Sequence, residues 1–443
     1  MLSLDSQVIG VFGYGKTGES VARYLSEKNK SVVVFDTRPA PKNLVKIRGV
    51  EYNWQVLDWM RPDVDTLIVS PGLRFDLPLL QQAKAEGVFL LSDIDLFFIE
   101  ANGKPVFGIT GTNGKSTVTT MLAHVFSENG YVCYCGGNLG PPALDILNSD
   151  SEVYILELSS FQLERMQAYQ FEAAAILNIS EDHLDHHGSM INYVESKHKI
   201  YDLAKKCVFN RDDKLTYPRS RSRIISFGNS PVNNEGDWSV LEDDSGRWAT
   251  CNREKIVDLS RLPIFGHHTE LNILCVLAMV SEYIDTLDAV RALISYKGLD
   301  HRYKEVSTFR GIRFINDSKA TNLGAVVSAL NNFSEGNVIL IGGGDAKGVD
   351  FEPLAEAFIG KIKRLIAIGE DGPKIAAVAE SQKIKTCFAG SIEEAVDLGY
   401  QAAEPGDTVL LSPACASFDM FENYEERGDR FEKAVLALSK VEA

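Results

Sequence analysis

The sequence predicts an α/β protein of three domains, each built on a mostly parallel sheet. Short apolar runs that end in Gly, Ser or Asn alternate with amphipathic stretches, the pattern of strands and helices in parallel sheets. Gly-rich turns follow two of these runs and open helices. The 443 residues, at roughly 150 per domain, leave room for three cores, and 45% hydrophobic with 24% charged residues is ordinary globular composition.

In the first block, 1–92, candidate strands lie at 8–12, 32–35, 66–69 and 88–91. The second block, 93–298, continues with strands at 105–109, 132–135, 153–158, 173–177 and 207–209. Composition changes between 211 and 262, where Trp238-Ser-Val and Arg247-Trp-Ala flank Asp243-Asp-Ser-Gly246 as a hairpin. A small antiparallel appendage is expected there. Leu271, Leu274, Val276, Leu277 and Val280 recur at helical spacing and close the domain. The third block, 299–443, has strands at 312–316, 338–341, 365–368 and 408–411, with helical segments such as 325–330 between them.

Charge and cysteine usage narrow the function classes. Lys and Arg total 45 against 61 Asp and Glu, a net charge of -16, so the chain as a whole repels nucleic-acid backbones and anionic membranes. A polyanionic small molecule can still bind where a few Lys, Arg and N–H groups converge. Neither a secretory signal nor an apolar run of about 18 residues is evident, so membrane insertion is not expected. The seven cysteines lack a disulfide-like or zinc-like spacing and fit a reducing cytoplasm.

Gly111-Thr-Asn-Gly-Lys-Ser-Thr117 stands between a strand and a helix with Met121, Leu122, Val125 and Phe126 on one face. That is the setting of a phosphate-binding loop, in which N–H groups of Gly111, Thr112, Asn113 and Gly114 cradle oxygens. Lys115 adds charge, and the Ser116 or Thr117 hydroxyl binds magnesium. The loop is a shortened variant, because Ile109 stands where the longer spacing has Gly. Gly13-x-Gly15-x-x-Gly18, with Asp36 at the end of the next strand, matches a dinucleotide fingerprint. Asp36 suits a ribose hydroxyl of any nucleotide, while Lys16, Thr17 and Arg38 equally suit a diphosphate. A nicotinamide dehydrogenase accounts for this motif but leaves the second phosphate loop without a task.

Glu157 ends an apolar strand next to the phosphate loop, where a carboxylate can hold magnesium. In the run 178–187, Asp182, His183 and Asp185 can coordinate a second cation or orient a carboxylate, whereas His186 and His187 are expected to be solvated. Lys197, taken alone, reads as an exposed helical lysine. In the third block the polar loops 316–322, 341–347 and 411–417 all follow strands and are expected to converge on one edge. Asp317 or Ser318 also fits a helix N-cap there.

Gly111-Thr-Asn-Gly-Lys-Ser-Thr, Glu157-Leu-Ser-Ser-Phe-Gln-Leu-Glu, 178–183, Lys197, His301-Arg-Tyr, Asn316-Asp-Ser-Lys-Ala-Thr-Asn and Ser412-Pro-Ala-Cys-Ala-Ser-Phe-Asp together resemble the ATP-dependent Mur ligases. The last two motifs resemble the members that add D-glutamate to UDP-N-acetylmuramoyl-L-alanine in peptidoglycan synthesis. This resemblance implies a Rossmann-like N-terminal domain, a central P-loop ATPase-like parallel sheet domain and a Rossmann-like C-terminal domain. It implies ATP and magnesium, with Asn272, Arg302 and Asp317 at the nucleotide beside the loop. Thr17, Asp36, Thr37, Arg38, Gly72, Asn138 and Ser159 are the implied contacts of the UDP substrate. Thr321, Lys347, Ser417 and Tyr424 are those of D-glutamate. Lys197 takes on a different meaning as a carbamylated lysine that supports a second magnesium with His183.

Overall fold

The computed structural model describes residues 8–441 apart from 42, 43, 62, 75, 139, 220, 221, 233, 263–266, 334, 335 and 347. Two compact units emerge, Met1–Leu262 with Leu271–Tyr296, and Pro263–Glu270 with Lys297–Ala443. The first unit carries two sheets and the second carries one.

In the first sheet the strands are β1 (Val8–Phe12), β2 (Ser31–Asp36), β3 (Val50–Trp54), β4 (Thr66–Val69) and β5 (Phe89–Ser92). They run in parallel in the order β3-β2-β1-β4-β5. β1 and β4 are almost wholly buried because helices cover both faces, which is why they read as unbroken apolar runs. β3 escapes the sequence pattern: it is an edge strand with half-buried residues and carries Glu51 and Asn53. Order reverses between β1 and β4, opening a crevice at the carboxyl ends beside Gly13 and Ser70.

The second sheet comprises β6 (Val106–Thr110), β7 (Cys133–Gly137), β8 (Val153–Glu157), β9 (Ala173–Ile176), β10 (Lys206–Asn210), β11 (Arg223–Gly228), β12 (Trp238–Asp243), β13 (Gly246–Cys251) and β14 (Glu254–Asp258). Its order is β14-β13-β12-β11-β10-β9-β6-β8-β7. The expected hairpin forms between β12 and β13, but it is not an appendage. β11 pairs in parallel with β10 and β12 in parallel with β11, so main-chain hydrogen bonds make the hairpin the outer edge of the same sheet. Helix Lys115–Glu128 buries Met121, Leu122, Val125 and Phe126, as expected. Leu274, Val276, Leu277 and Val280 are also buried, and a further helix, Thr286–Ser295, follows them.

Polar contacts join the first two sheets. Ser20 and Arg23 donate to Asp145, Gln167 N–H donates to Asp95 at 2.7 Å, and the Arg165 guanidinium donates to the Ser70 carbonyl at 2.6 Å.

The third sheet holds β15 (Lys304–Phe309), β16 (Ile312–Asn316), β17 (Val338–Gly343), β18 (Ile362–Ile368), β19 (Lys385–Phe388) and β20 (Thr408–Leu411), in the order β15-β16-β20-β17-β18-β19. Only β15 is antiparallel, and both edge strands, half exposed, lie outside the sequence expectation. One face is packed by Leu354 and Ile375, the other by Ile392, Val396, Phe431 and Val435. Among the described residues, no helix is long and apolar enough to cross a membrane.

Candidate active site

The phosphate loop joins β6 to helix Lys115–Glu128 at the carboxyl edge of the second sheet. Gly114 turns into the helix at φ +82°, a left-handed conformation that favours glycine, and a Cβ there would also lie 2.9 Å from Asn272 Oδ1. The next loop, after β9, fixes this one. Thr112 N–H donates to the Asn178 carbonyl at 2.9 Å, Asn113 N–H donates to Asn178 Oδ1 at 2.8 Å, and Asn178 Nδ2 donates back to the Asn113 carbonyl. Thr112 Oγ1 is 3.1 Å from the Tyr193 hydroxyl. Lys115 Nζ folds over the loop and donates to the carbonyls of Gly111 and Thr112 at 3.0 and 2.8 Å. Ser116 is buried in the first helical turn, and Thr117 beside it is half-buried.

β8 is the direct neighbour of β6 and delivers Glu157 to the same edge. Its Oε1 accepts from Asn138 Nδ2 at 2.8 Å, whereas the buried Oε2 has no hydrogen-bond partner. A buried, half-satisfied carboxylate beside a phosphate loop suits a cation.

Lys197 is not the exposed lysine its helix suggests. It is 2% exposed and shares a buried stripe with Tyr193 and Ile200. Its Nζ donates to the Gly111 carbonyl at 2.9 Å and stands 4.7 Å from the centre of the Tyr193 ring. Burial, reinforced by the charge of Lys115 and opposed by Asp182 and Glu157, holds the amine well below the ordinary lysine range. His183 occupies the left-handed residue before the short helix Leu184–His187, is exposed, and lies 3.6 Å from Asp182 Oδ2. The expectation that His186 and His187 are solvated is wrong. His187 is buried and His186 half-buried, because Phe161 and Tyr193 pack against the turn.

On the first sheet, Asp36 is buried and accepts four hydrogen bonds: Tyr14 N–H at 2.7 Å, Arg38 N–H at 2.8 Å, Arg38 Nε at 3.0 Å and Arg38 Nη2 at 2.8 Å. Burial alone would raise this carboxyl, but the bonds from Arg38 and Tyr14 outweigh it and hold the group below its ordinary value. Asp36 thus ties Arg38 to the Gly-rich turn, and a ribose would have to compete with those donors. Gly18 is compulsory, since a Cβ there would meet the Gly13 carbonyl oxygen at 1.9 Å. Lys16 Nζ donates to the Gly140 carbonyl at 2.8 Å. Thr37, Gly72 and Asn138 are exposed, while Thr17 and Ser159 are half-buried. Ser159 caps helix Ser160–Arg165.

The three polar loops of the second unit do converge. Asp317 N–H donates to the Leu411 carbonyl, Ala414 N–H to the Ala320 carbonyl and Gly343 N–H to the Pro413 carbonyl, and Asp345 and Ala416 exchange main-chain bonds. The helix N-cap is Asn322, neither Asp317 nor Ser318. Asp317 instead accepts from Ser412 Oγ at 2.9 Å and from Tyr303 N–H at 3.1 Å. Burial pushes it up to about 7, opposed by Ser412, Tyr303 and the charge of Arg302. Thr321 and Tyr424 are half-buried, Ser417 is buried, and Lys347 lies outside the described residues.

Sequence reasoning missed Arg427, which is buried and donates to Ser318 Oγ and to the carbonyls of Ser318, Cys415 and Ala416. The signal was present, because Arg427 lies on the buried stripe of Phe431 and Val435 at four-residue spacing.

Family models cover most of the chain: Mur ligase MurD-like, N-terminal domain at 7–92; Mur ligase middle domain at 109–280; and Mur ligase, glutamate ligase domain at 301–415. The UDP-N-acetylmuramoylalanine–D-glutamate ligase of Marinobacter nauticus is 40% identical, covering 97% of this chain and 98% of its own. That of Hahella chejuensis is 41% identical with the same coverage. The crystal structure of UDP-N-acetylmuramate-alanine ligase MurC from Thermotoga maritima matches 97% of this chain and 99% of its own with a TM-score of 0.63 at 20% identity, a likeness of fold. With three successive domain matches and relatives this similar along nearly their whole length, the chain belongs to the Mur ligase family.

Proposed function

We propose that the protein is an ATP-dependent ligase that joins D-glutamate to UDP-N-acetylmuramoyl-L-alanine in peptidoglycan precursor synthesis. The observation that carries this reading is its 40% identity, over 97% of its length, to a ligase named for that reaction. The substrate carboxylate attacks the γ-phosphorus of ATP, the bond to ADP breaks, and an acyl phosphate forms. The D-glutamate amine then attacks the acyl carbon, loses a proton, and phosphate leaves from a tetrahedral intermediate to give the amide.

Each site residue has a part in this reading. The N–H groups of residues 111–117 orient the phosphates, and Lys115 turns from its loop carbonyls to the oxygens that gain charge during transfer. Asn272, Arg302 and Asp317 hold the nucleotide. Ser116, Glu157, His183 and Lys197 hold magnesium, which supplies charge neutralisation for the transferring phosphoryl group. The unsatisfied Oε2 of Glu157 fits that assignment. Lys197 serves as a carbamate: its amine, whose proton is held less tightly because of burial, adds to carbon dioxide in its neutral form, an N–C bond forms and a proton leaves. Thr17, Asp36, Thr37, Arg38, Gly72, Asn138 and Ser159 receive the UDP substrate, and Thr321, Lys347, Ser417 and Tyr424 receive D-glutamate. The domains divide at 92/93 and 298/299. The enzyme works in the cytoplasm, where its cysteines, not joined in disulfides, stay reduced.

The test is ADP release with UDP-N-acetylmuramoyl-L-alanine and a panel of amino acids. D-glutamate is expected to support turnover. Preference for L-glutamate, or for a longer UDP-peptide acceptor, would move the protein to another branch of the family.

A further inference from the structure

We propose that Glu164, His186 and His187 form a second cation site, distinct from the magnesium residues, for a late first-row divalent metal such as zinc. Glu164 comes from helix Ser160–Arg165 and the two histidines from helix Leu184–His187. Glu164 Oε2 is 3.0 Å from His186 Nε2 and 3.8 Å from His187 Nδ1, and one ligand atom from each residue lies within 4.8 Å of the other two. Tetrahedral zinc sets its ligand atoms about 3.3 Å apart, so adjustments of about 1 to 1.5 Å complete the site.

The surroundings are those of a ligating histidine. His187 Nε2 is 3.0 Å from Ser160 Oγ, which fixes the ring and leaves Nδ1 toward Glu164. Phe161 stacks on the His187 ring at 5.5 Å and meets the His186 ring edge-on at 4.4 Å, so both rings are held in place. His187 is buried, whereas His186 and Glu164 reach the surface and leave room for approach and a water ligand. Two imidazoles and one carboxylate suit zinc, cobalt or nickel, while magnesium prefers oxygen ligands. Occupancy would staple the turn that carries His183 to the helix that Ser159 caps, stiffening that edge of the second sheet.

The test titrates the full chain, free of any histidine tag and in saturating magnesium, with cobalt and then zinc. One equivalent of cobalt is expected, with visible d–d absorption and no intense near-ultraviolet thiolate band, displaced by zinc and not by magnesium. Glu164→Gln and His186→Gln, both at partly exposed positions, should each weaken cobalt binding ten-fold or more, and Ser160→Ala about ten-fold. Zinc should raise the melting temperature of the parent but not of Glu164→Gln. Failure to bind one equivalent, a thiolate band, or unchanged affinity in both ligand variants overturns the proposal. None of these readouts depends on the ligase reaction.

Discussion

Burial of Lys197 against Thr110, the Gly111 carbonyl and Tyr193 removes its amine from water and disfavours the ammonium form. Carbamylation would replace a poorly solvated ammonium by an anion beside Lys115. Lys197→Ala is therefore expected to lower ADP formation about 10²- to 10³-fold, with partial recovery when a short carboxylate such as acetate fills the space. Assays with and without acetate check this, and an active variant indifferent to acetate counts against the carbamate. Ser417, buried where the loop after β20 approaches that after β17, belongs to the proposed D-glutamate pocket. A hydrogen bond to a charged group contributes about 1.5 to 3 kcal/mol, so Ser417→Ala should raise the KM for D-glutamate roughly 10- to 100-fold and leave that for ATP nearly unchanged.

At the scale of elements, helix Asp93–Glu100 carries a marked electrostatic defect. Asp93 is buried, its Oδ1 lacks a hydrogen-bond partner, and Gln162 reaches Oδ2 only at 3.5 Å. Burial pushes this carboxyl up to about 6 from its ordinary 3.8. Between those values the folded state holds the proton more tightly than the unfolded state. Stability from this group is therefore full below pH 4, falls as pH rises toward 6, and stays low above it. Asp93→Asn removes that loss, so its thermal stability should exceed the parent's by about 1–3 kcal/mol at pH 7.5, and by little at pH 3.5. Melting curves at the two values test it, and an equal gain at both would show that charge is not the cause. The helices of Lys197 and Arg427 share a lesson at this scale. Each carries a basic residue on an apolar stripe, legible as periodicity, but the phosphate loop that receives Lys197 and the loop after β16 that receives Arg427 are remote in sequence.

Across the whole molecule, sheets of different strand order repeat one device, bringing polar loops to the carboxyl edge of buried parallel strands. In the first unit two such edges carry Gly-rich turns, proposed here as nucleotide sites, and Asp36 orients Arg38 at the first of them. With Asp36 filled by Tyr14 and Arg38, the ribose of any nucleotide has to compete with those donors, while the exposed guanidinium of Arg38 suits a diphosphate. UDP-N-acetylmuramoyl-L-alanine at about 100 times its Kd should stabilise the protein by about 2.7 kcal/mol, visible as a raised Tm. NAD at the same concentration should leave Tm unchanged. Protection by NAD but not by the UDP substrate would reverse the assignment.

The linear sequence by itself determined the positions of most buried strands, β11 excepted, of both Gly-rich turns and of the three polar loops of the second unit, because strand periodicity and turn chemistry are local. It also carried the family, through motifs spread over all three blocks. Tertiary structure alone decided that residues 223–258 extend the central sheet, because that depends on which backbone edge β11 and β12 meet. It likewise decided that Lys197, His187 and Arg427 are buried and that Asp36 is filled by its own neighbours. Edge strands β3, β15 and β19 stayed unread because only a strand covered on both faces needs an uninterrupted apolar run. Burial of a charge is a property of what packs over it, and for Lys197 that is a loop more than 80 residues away in the chain.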